Sequence, residues 1–170
     1  MTKIKLSDLI VKNNNIDIDE YITFREKIKT KMEYPEWLGD FSKEDIIEMI
    51  ANGSKLWMYY INNLPVCSMM LIPSTQESLD KFEVKNLSYK DVVDYGPMMV
   101  YCDYLGNGVQ DQMLKEIDNY SKKQGYKYAL GTIHPDNIYS INNLLKNNFI
   151  QIGLKEFKRG IRNIYYKELV

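Results

Sequence analysis

The first fifty residues repeat hydrophobic positions at the three- and four-residue spacing of amphipathic helices. One apolar stripe follows the acidic segment 17–20, and acidic residues are favourable near the start of a helix, so a helix is predicted there. Its apolar positions are Tyr21, Phe24, Ile28 and Met32. A second helix is predicted from Ser42 to a stop at Asn52-Gly53, because Ser42 and Asp45 have the spacing of a capping box.

From Lys55 the hydrophobic pattern becomes that of β-strands. Apolar runs over 56–61 and 65–72 flank the turn residues Asn62-Asn63, and this arrangement predicts a hairpin. Polar residues over 73–90 then precede a strand predicted over 91–102. Both faces of that strand are apolar near its end, as is typical of a strand in the middle of a sheet.

The rest of the chain predicts alternating helices and strands. In order, the predicted elements are a helix over 108–124, a strand over 126–133, a helix over 137–147 and closing strands near 149–154 and 162–169. Combined with the earlier elements, this order implies an α/β fold in a single domain over 1–170. We expect one mixed sheet with helices on both faces.

Composition narrows the classes of partner. The chain has 22 Lys and Arg against 23 Asp and Glu, a net charge of −1 and a pI near 5.9. Nucleic acid and anionic membranes attract proteins through a basic surplus, so neither is expected as a partner. No apolar run is long enough for a membrane span, and the N-terminus lacks the apolar core of a secretory signal, which predicts a cytoplasmic protein.

The cysteine and histidine content argues against a metal site. Cys67 and Cys102 are too few for a disulfide framework or a zinc site, and His134 is the single histidine. We expect two reduced thiols and no bound metal.

The most informative segment is a strand-to-helix turn within 98–110. Gly106 and Gly108 precede a long helix there, so unpaired backbone N–H groups meet the positive end of the helix dipole. Such a point suits a pyrophosphate, although a tight turn that needs glycine for positive φ explains these glycines equally well. Asp111 at the third glycine position argues against a dinucleotide-binding motif, and the lack of Gly-Lys-Ser/Thr excludes a P-loop.

Together with two later segments, this turn resembles the GNAT superfamily of acyl-CoA-dependent N-acyltransferases. The later segments are Ile-His-Pro-Asp-Asn-Ile-Tyr-Ser over 133–140 and Leu-Leu-Lys-Asn-Asn-Phe over 144–149. The resemblance covers about 96–152 and implies acetyl-CoA as cosubstrate, with its pyrophosphate on the amides of the turn and its pantetheine arm on Asn137. The cofactor-binding residues that it implies are Met98, Val100, Leu105, Gly106, Asn107, Gly108, Val109, Gln110, Asn137 and Ser140.

The chain departs from the family's pattern at positions that matter for binding and catalysis. The signature Q/R-x-x-G-x-G/A falls on 105–110, where Gly108 matches but Leu105 and Gln110 do not. Leu144 stands where a tyrosine commonly protonates the leaving thiolate in the family, so either another group such as Tyr139 acts as the general acid or the thiolate leaves unassisted. A partly exposed aromatic residue in a first helical turn is the alternative interpretation of Tyr139.

The resemblance implies direct transfer, in which a neutral amine attacks the thioester carbonyl. A backbone N–H near Val100 would stabilise the oxyanion, and Asp94 is the candidate base. Strand alternation predicts that Asp94, Gly96, Met98 and Val100 share one face, unless a bulge breaks the count. A solvated residue at a strand start is the alternative interpretation of Asp94.

A covalent mechanism is a second alternative. It would use Cys102 as the nucleophile, with His134 and either Asp103 or Asp136. The residue types are present, but a lone cysteine at a strand end is more often a small buried residue.

The sequence leaves the acceptor amine undecided. Tyr34 and Trp37 lie among carboxylates over 33–40, an arrangement suited to a cationic amine. A basic hairpin favours an acidic acceptor instead, and its residues are Lys155, Lys158, Arg159 and Arg162. We expect a small-molecule or peptide amine, and a homodimer stays open.

The leading prediction is an N-acetyltransferase that moves an acetyl group from acetyl-CoA to a primary amine. The departures at Leu105, Gln110 and Leu144 motivate one alternative, a GNAT-like domain that binds CoA or a metabolite without efficient catalysis. The other alternative is an unrelated α/β interaction module.

Overall fold

The computed structural model describes residues 3–170, which form two compact units. The first unit comprises the chain up to Met70 together with Gly96–Met113. The second unit comprises Leu71–Tyr95 together with Leu114–Val170. A single domain over 1–170 therefore stays a prediction.

Residues 3–170 contain five α-helices and eight β-strands. The helices are α1 (Ile18–Lys29), α2 (Lys43–Ala51), α3 (Gln76–Lys81), α4 (Val109–Lys123) and α5 (Ile138–Lys146). The strands are β1 (Ile10–Lys12), β2 (Lys55–Ile61), β3 (Leu64–Pro73), β4 (Val92–Tyr95), β5 (Met99–Val100), β6 (Tyr128–Ile133), β7 (Ile150–Phe157) and β8 (Gly160–Glu168). Over these residues no helix is both long and apolar enough to cross a membrane.

The two N-terminal helices begin where their capping residues predict. The side chain of Asp17 accepts hydrogen bonds from the N–H groups of Asp19 and Glu20, which starts α1. Ser42 and Asp45 form the expected reciprocal capping box, with bonds of 3.0 and 2.8 Å. Helix α1 ends at Lys29, so Met32 lies beyond it rather than within its apolar stripe.

The strands join in a mixed sheet with the order β1-β2-β3-β4-β6-β8-β7, and β5 pairs with β3 off this order. Strands β4 and β6 are parallel, with Val93 opposite Ala129 and Asp94 opposite Leu130. Strand β8 pairs antiparallel with both β6 and β7. The α/β fold with a mixed sheet and flanking helices is thus confirmed.

The single strand predicted over 91–102 is wrong, because the structure contains two strands, β4 and β5. Tyr95 lies opposite Leu71 and Met99 lies opposite Ser68. The three residues 96–98 therefore face only two residues of β3, 69 and 70. One extra residue therefore forms a β-bulge over 96–98. The bulge reverses the alternation, and the prediction that Asp94 and Val100 share a face is also wrong.

Helix α3 and strand β1 lie in segments for which no element was predicted. Thr75 and Ser78 form a capping box that starts α3, and Leu79 is fully buried. Leu79 packs in an apolar cluster with Phe82, Val92, Leu130 and Ile164. Packing in the tertiary structure therefore stabilises this six-residue helix, which is too short to show a clear periodicity.

Candidate active site

The strand-to-helix turn lies in the first unit, between β5 and α4. A single 3₁₀ turn over Cys102–Tyr104 follows β5, and α4 begins at Val109. Gly106 has φ 77° and Gly108 has φ 69°, a left-handed backbone that other residues rarely adopt. The glycines are therefore required by the path of the chain.

The same turn presents backbone donors. Within residues 3–170, the N–H groups of Gly106, Gly108 and Val109 donate no hydrogen bond. They lie at the start of a 15-residue helix, whose dipole is positive there. Leu105 is 52% exposed beside them and adds no polar group. The turn therefore offers an anion at least these three backbone donors.

The N-terminal segment contacts this turn, and no pattern in the sequence predicted that contact. The Asn107 side chain accepts a hydrogen bond from the N–H of Ile4 (3.2 Å) and donates one to the carbonyl of Tyr104 (3.0 Å). The side chain of Gln112 accepts a hydrogen bond from the N–H of Leu6 (2.9 Å). Asn107 was predicted as a cofactor contact, and its side chain here fixes the loop.

Strand β5 exposes a backbone donor at Val100. The N–H of Tyr101 donates to the carbonyl of Val66 (2.8 Å), so Val66 and Tyr101 form a hydrogen-bonded antiparallel pair. The next pair, Cys67 and Val100, is then a non-hydrogen-bonded pair, in which the N–H of Val100 points away from β3. Among residues 3–170, β5 pairs with no strand besides β3. The family resemblance implied a backbone donor near Val100, and its role at an oxyanion stays a prediction.

Asn137 and Ser140 lie in the second unit, at the start of α5. The Oδ1 of Asn137 accepts a hydrogen bond from the N–H of Ser140 (3.2 Å), which caps the helix. The Nδ2 group of Asn137 donates no hydrogen bond within residues 3–170. The side chain therefore combines a structural acceptor with an available donor.

Substitution of Asn137 separates these two functions. Asn137→Asp keeps a good capping oxygen but loses the amide donor, so we expect acetyl-CoA affinity to fall about fivefold, the effect of losing one hydrogen bond, with little change in stability. Asn137→Ala loses both groups and should also unfold about 1 kcal/mol more easily. Calorimetric titration and thermal unfolding measure the two effects. Wild-type affinity in the Asp variant would remove Asn137 from the binding site.

Asp94 lies half-buried near the end of β4, in the second unit, close to Arg159. Its neighbour Tyr95 points to the opposite face, where its hydroxyl donates to Asp118 Oδ1 (2.7 Å). Burial raises the pKa of the Asp94 carboxyl to about 7, against the lowering effect of the Arg159 guanidinium. A carboxylate whose pKa lies near neutrality is a stronger base than an ordinary carboxylate and is still partly ionised at neutral pH. Both properties suit a general base.

Arg159 is the residue in this region whose role the sequence did not single out. It lies in the turn between β7 and β8, and its Nη2 donates to the hydroxyl of Thr132 on β6 (2.6 Å). Burial lowers the pKa of the Arg159 guanidinium and Asp94 raises it. Its place in a run of basic residues was the only signal in the sequence.

Tyr139 and Leu144 occupy different environments on α5. Tyr139 is 82% exposed, which matches its alternative interpretation as a surface aromatic residue. Leu144 is buried, and its Cδ1 lies 3.7 Å from the position that a Cβ on Gly131 would take. Leu144, at the position where the resemblance would lead one to expect an acid, is therefore part of the apolar packing.

Tyr34 and Trp37 lie in the first unit, in the loop between α1 and α2. Their rings stack with centroids 4.7 Å apart. Arg25, which is buried, holds the far end of this loop through a hydrogen bond from Nη1 to the carbonyl of Phe41 (2.6 Å). Lys29 pairs with Asp40 (3.2 Å) in the same loop. The structure thus brings the two aromatic residues together on an anchored loop.

The residues of the covalent alternative make local contacts. The thiol of Cys102 donates to Asp103 Oδ1 (3.5 Å). The Nδ1 of His134 accepts from the N–H of Asp136 (3.2 Å). Neither contact activates a thiol, so the geometry does not favour Cys102 as a nucleophile.

A groove of about 420 Å³ lies in the second unit beside β7. Ile150, Ile152, Leu154 and Tyr166 are among its lining residues. Lys155 of the basic hairpin lines this groove, but none of the predicted catalytic or cofactor-binding residues does, so it is not the predicted active site.

Comparison of the fold with solved structures identifies a consistent set of neighbours. An acetyltransferase of the GNAT family from Streptococcus pneumoniae matches with a TM-score of 0.67 and 12% identity, covering 94% of this chain and 98% of that one. The ribosomal-protein-S18-alanine N-acetyltransferase of Escherichia coli matches with a TM-score of 0.69 and 10% identity, covering 95% and 94%. An acetyltransferase of Bacillus subtilis in complex with CoA matches with a TM-score of 0.66 and 12% identity, covering 95% and 99%. No protein-family model matches the sequence, and no curated protein matches it either.

Proposed function

Because the chain has the fold of the GNAT acetyltransferases, we propose that it transfers an acetyl group from acetyl-CoA to a primary amine. The observation that carries this proposal is the turn with three unpartnered N–H groups, at Gly106, Gly108 and Val109. A structural neighbour was solved with CoA, and CoA carries the pyrophosphate that such a turn suits.

Binding uses mainly backbone groups in the first unit. The pyrophosphate accepts hydrogen bonds from the turn amides, and the helix dipole of α4 stabilises its charge. Leu105 supplies no side-chain donor, so affinity depends on the amides. In the second unit, the Nδ2 of Asn137 donates to an amide carbonyl of the pantetheine arm.

The reaction is a direct transfer. The amine nitrogen attacks the acetyl carbonyl carbon, the N–H of Val100 donates to the developing oxyanion, and Asp94 takes the amine proton. The carbon–sulfur bond then breaks, and its electron pair stays on the sulfur as CoA thiolate. The products are an N-acetyl amide and CoA, and Asp94 returns its proton to solvent.

Protonation of the thiolate does not require Tyr139. Tyr139 is 82% exposed, so we expect Tyr139→Phe to lower turnover less than about tenfold, below the effect typical of a general acid. Thiol release measured at saturating acetyl-CoA checks this. A complete loss of turnover with unchanged acetyl-CoA affinity would make Tyr139 the acid.

The burial of Leu144 favours one competing function, a domain that binds CoA without efficient transfer. Release of CoA thiol from acetyl-CoA in the presence of a panel of amines separates the two. Amine-dependent release supports the enzyme. Acetyl-CoA binding without release by any amine supports the binding domain, and no binding at all rejects both.

A further inference from the structure

Two opposite charges lie together in the second unit without forming an ion pair. The side chain of Asp94 makes no hydrogen bond or ion pair within residues 3–170. Arg159 makes a single side-chain hydrogen bond there, from Nη2 to Thr132. The two charges are nevertheless close enough for each to shift the other's pKa.

The strand register explains why these side chains meet. Asp94 lies opposite Leu130 in the parallel pair of β4 and β6. Thr132 is two residues beyond Leu130, so alternation places Thr132 on the same face as Leu130 and Asp94. Arg159 reaches this face from the turn between β7 and β8. Three separate parts of the chain therefore converge at the end of the parallel pair.

Half-buried charges are costly unless a partner satisfies them. The guanidinium has five N–H donors in a planar fork, and Thr132 uses one of them. The remaining donors match the two oxygens of a carboxylate. Asp94 offers both oxygens to a cation. A ligand that carries both charges satisfies the two groups at once.

Resting on the acetyl transfer proposed above, we infer that the acceptor is an amino acid or a closely related compound that carries a carboxylate near its amine. Arg159 binds the carboxylate of the acceptor, and Asp94 receives the ammonium group. One ammonium proton is lost to solvent before the neutral amine attacks, and Asp94 takes the second proton during attack. Thr132 positions the guanidinium.

The other basic residues of the hairpin are committed elsewhere or lie in solvent. Lys155 pairs with Glu83 (3.1 Å), and Arg162 is buried with its Nη1 donating to the carbonyl of Ile161 (2.7 Å). Lys158 is exposed. Of the four basic residues that favoured an acidic acceptor, Arg159 is therefore the one that lies beside the candidate base Asp94.

The test compares acceptors that differ only in the carboxylate. L-amino acids, their carboxamides and their decarboxylated amines are assayed for CoA thiol release with acetyl-CoA. We expect wild-type kcat/KM to favour the amino acid by at least about tenfold, since a site built for a group rejects analogues that lack it. Arg159→Gln should abolish this preference by raising KM for amino acids more than for amides and amines. The readout is the ratio of kcat/KM between acceptor classes within each protein, which cancels any common effect of Arg159 on the pKa of Asp94.

Lys158→Gln is the matched control, because Lys158 is the residue next to Arg159, carries the same charge and is exposed. It should keep the preference. Arg159→Lys keeps the charge but loses the fork, so it should restore part of the preference. Thermal unfolding identifies any variant that fails to fold, and a folded Arg159→Lys then replaces a misfolded Arg159→Gln.

Binding is measured separately by titrating the same compounds calorimetrically into the protein with CoA present. Amino acid binding that depends on Arg159, without thiol release, keeps the inference about recognition and rejects the proposed acetyl transfer. The inference is overturned if amides or amines bind and react as well as amino acids. It is also overturned if Arg159→Gln weakens all three classes alike, because the residue then acts only through Asp94.

Discussion

Asp94→Asn is expected to lower turnover by about two to four orders of magnitude, the contribution usual for a positioned general base. Acetyl-CoA affinity should stay within about twofold, because the amides of the turn do not involve this side chain. In the wild type, burial raises the pKa of Asp94 to about 7. The base form therefore increases with pH, and at a fixed concentration of neutral amine we expect kcat/KM to rise about tenfold per pH unit up to about pH 7. The variant should lose this limb of the profile.

A stability measurement provides an independent check on Asp94. Its pKa is raised from 3.8 to about 7, so the folded state binds the proton more tightly than the unfolded state. The stabilisation that results is complete below about pH 4 and is lost as pH rises to about 7. Asp94→Asn removes this dependence, which chemical unfolding at several pH values measures. A parallel loss of stability in wild type and variant over this range would contradict the raised pKa.

Gly108→Val is expected to lower acetyl-CoA affinity at least about tenfold, because its side chain would occupy the space in front of the turn amides. A Cβ on Gly108 meets no protein atom within 4 Å, so the chain itself leaves that space open. The remaining cost is backbone strain, since φ is +69°, and such strain is about 1–2 kcal/mol. Isothermal titration with acetyl-CoA and with CoA measures the loss.

Gly125 provides the matched control for this substitution. It follows the other end of α4, has φ +88°, and a Cβ there also meets nothing within 4 Å. Gly125→Val should therefore destabilise the fold about as much as Gly108→Val while leaving acetyl-CoA affinity unchanged. Equal losses of affinity in the two variants would mean that strain, rather than the position in the turn, explains the effect. If valine prevents folding, the same comparison is made with alanine.

Long periodic elements could be predicted from the sequence, and short ones could not. Helix α4 has 15 residues, and its apolar residues Val109, Met113 and Ile117, which are four apart, form a buried stripe. Helix α3 has six residues, and burial of Leu79 against distant strands supports it. The bulge over 96–98 was not predictable from alternation, because one added residue reverses the count without changing the hydrophobic pattern.

The candidate site likewise has one part that could be predicted from the sequence and one part that could not. Gly106 and Gly108 indicate a left-handed turn from the sequence alone, since few other residues adopt positive φ. The environment of Asp94 depends on Arg159, which lies far along the chain and reaches it through a bond to Thr132. No local pattern encodes that approach, so the sequence left the charge of the acceptor undecided.

The N–H of Val100, which points away from β3, is a backbone group and so is retained when the amino-acid sequence changes. Side-chain substitutions leave this donor in place, so an alanine scan would not detect its contribution. Proline at this position, or an ester bond in place of the amide, would remove it. In the proposed mechanism, selection for this donor acts on the register between β5 and β3, whereas the side chains of the paired residues can change. A chain can therefore have the fold of a solved acetyltransferase at 12% identity, because backbone pairing depends little on side-chain identity.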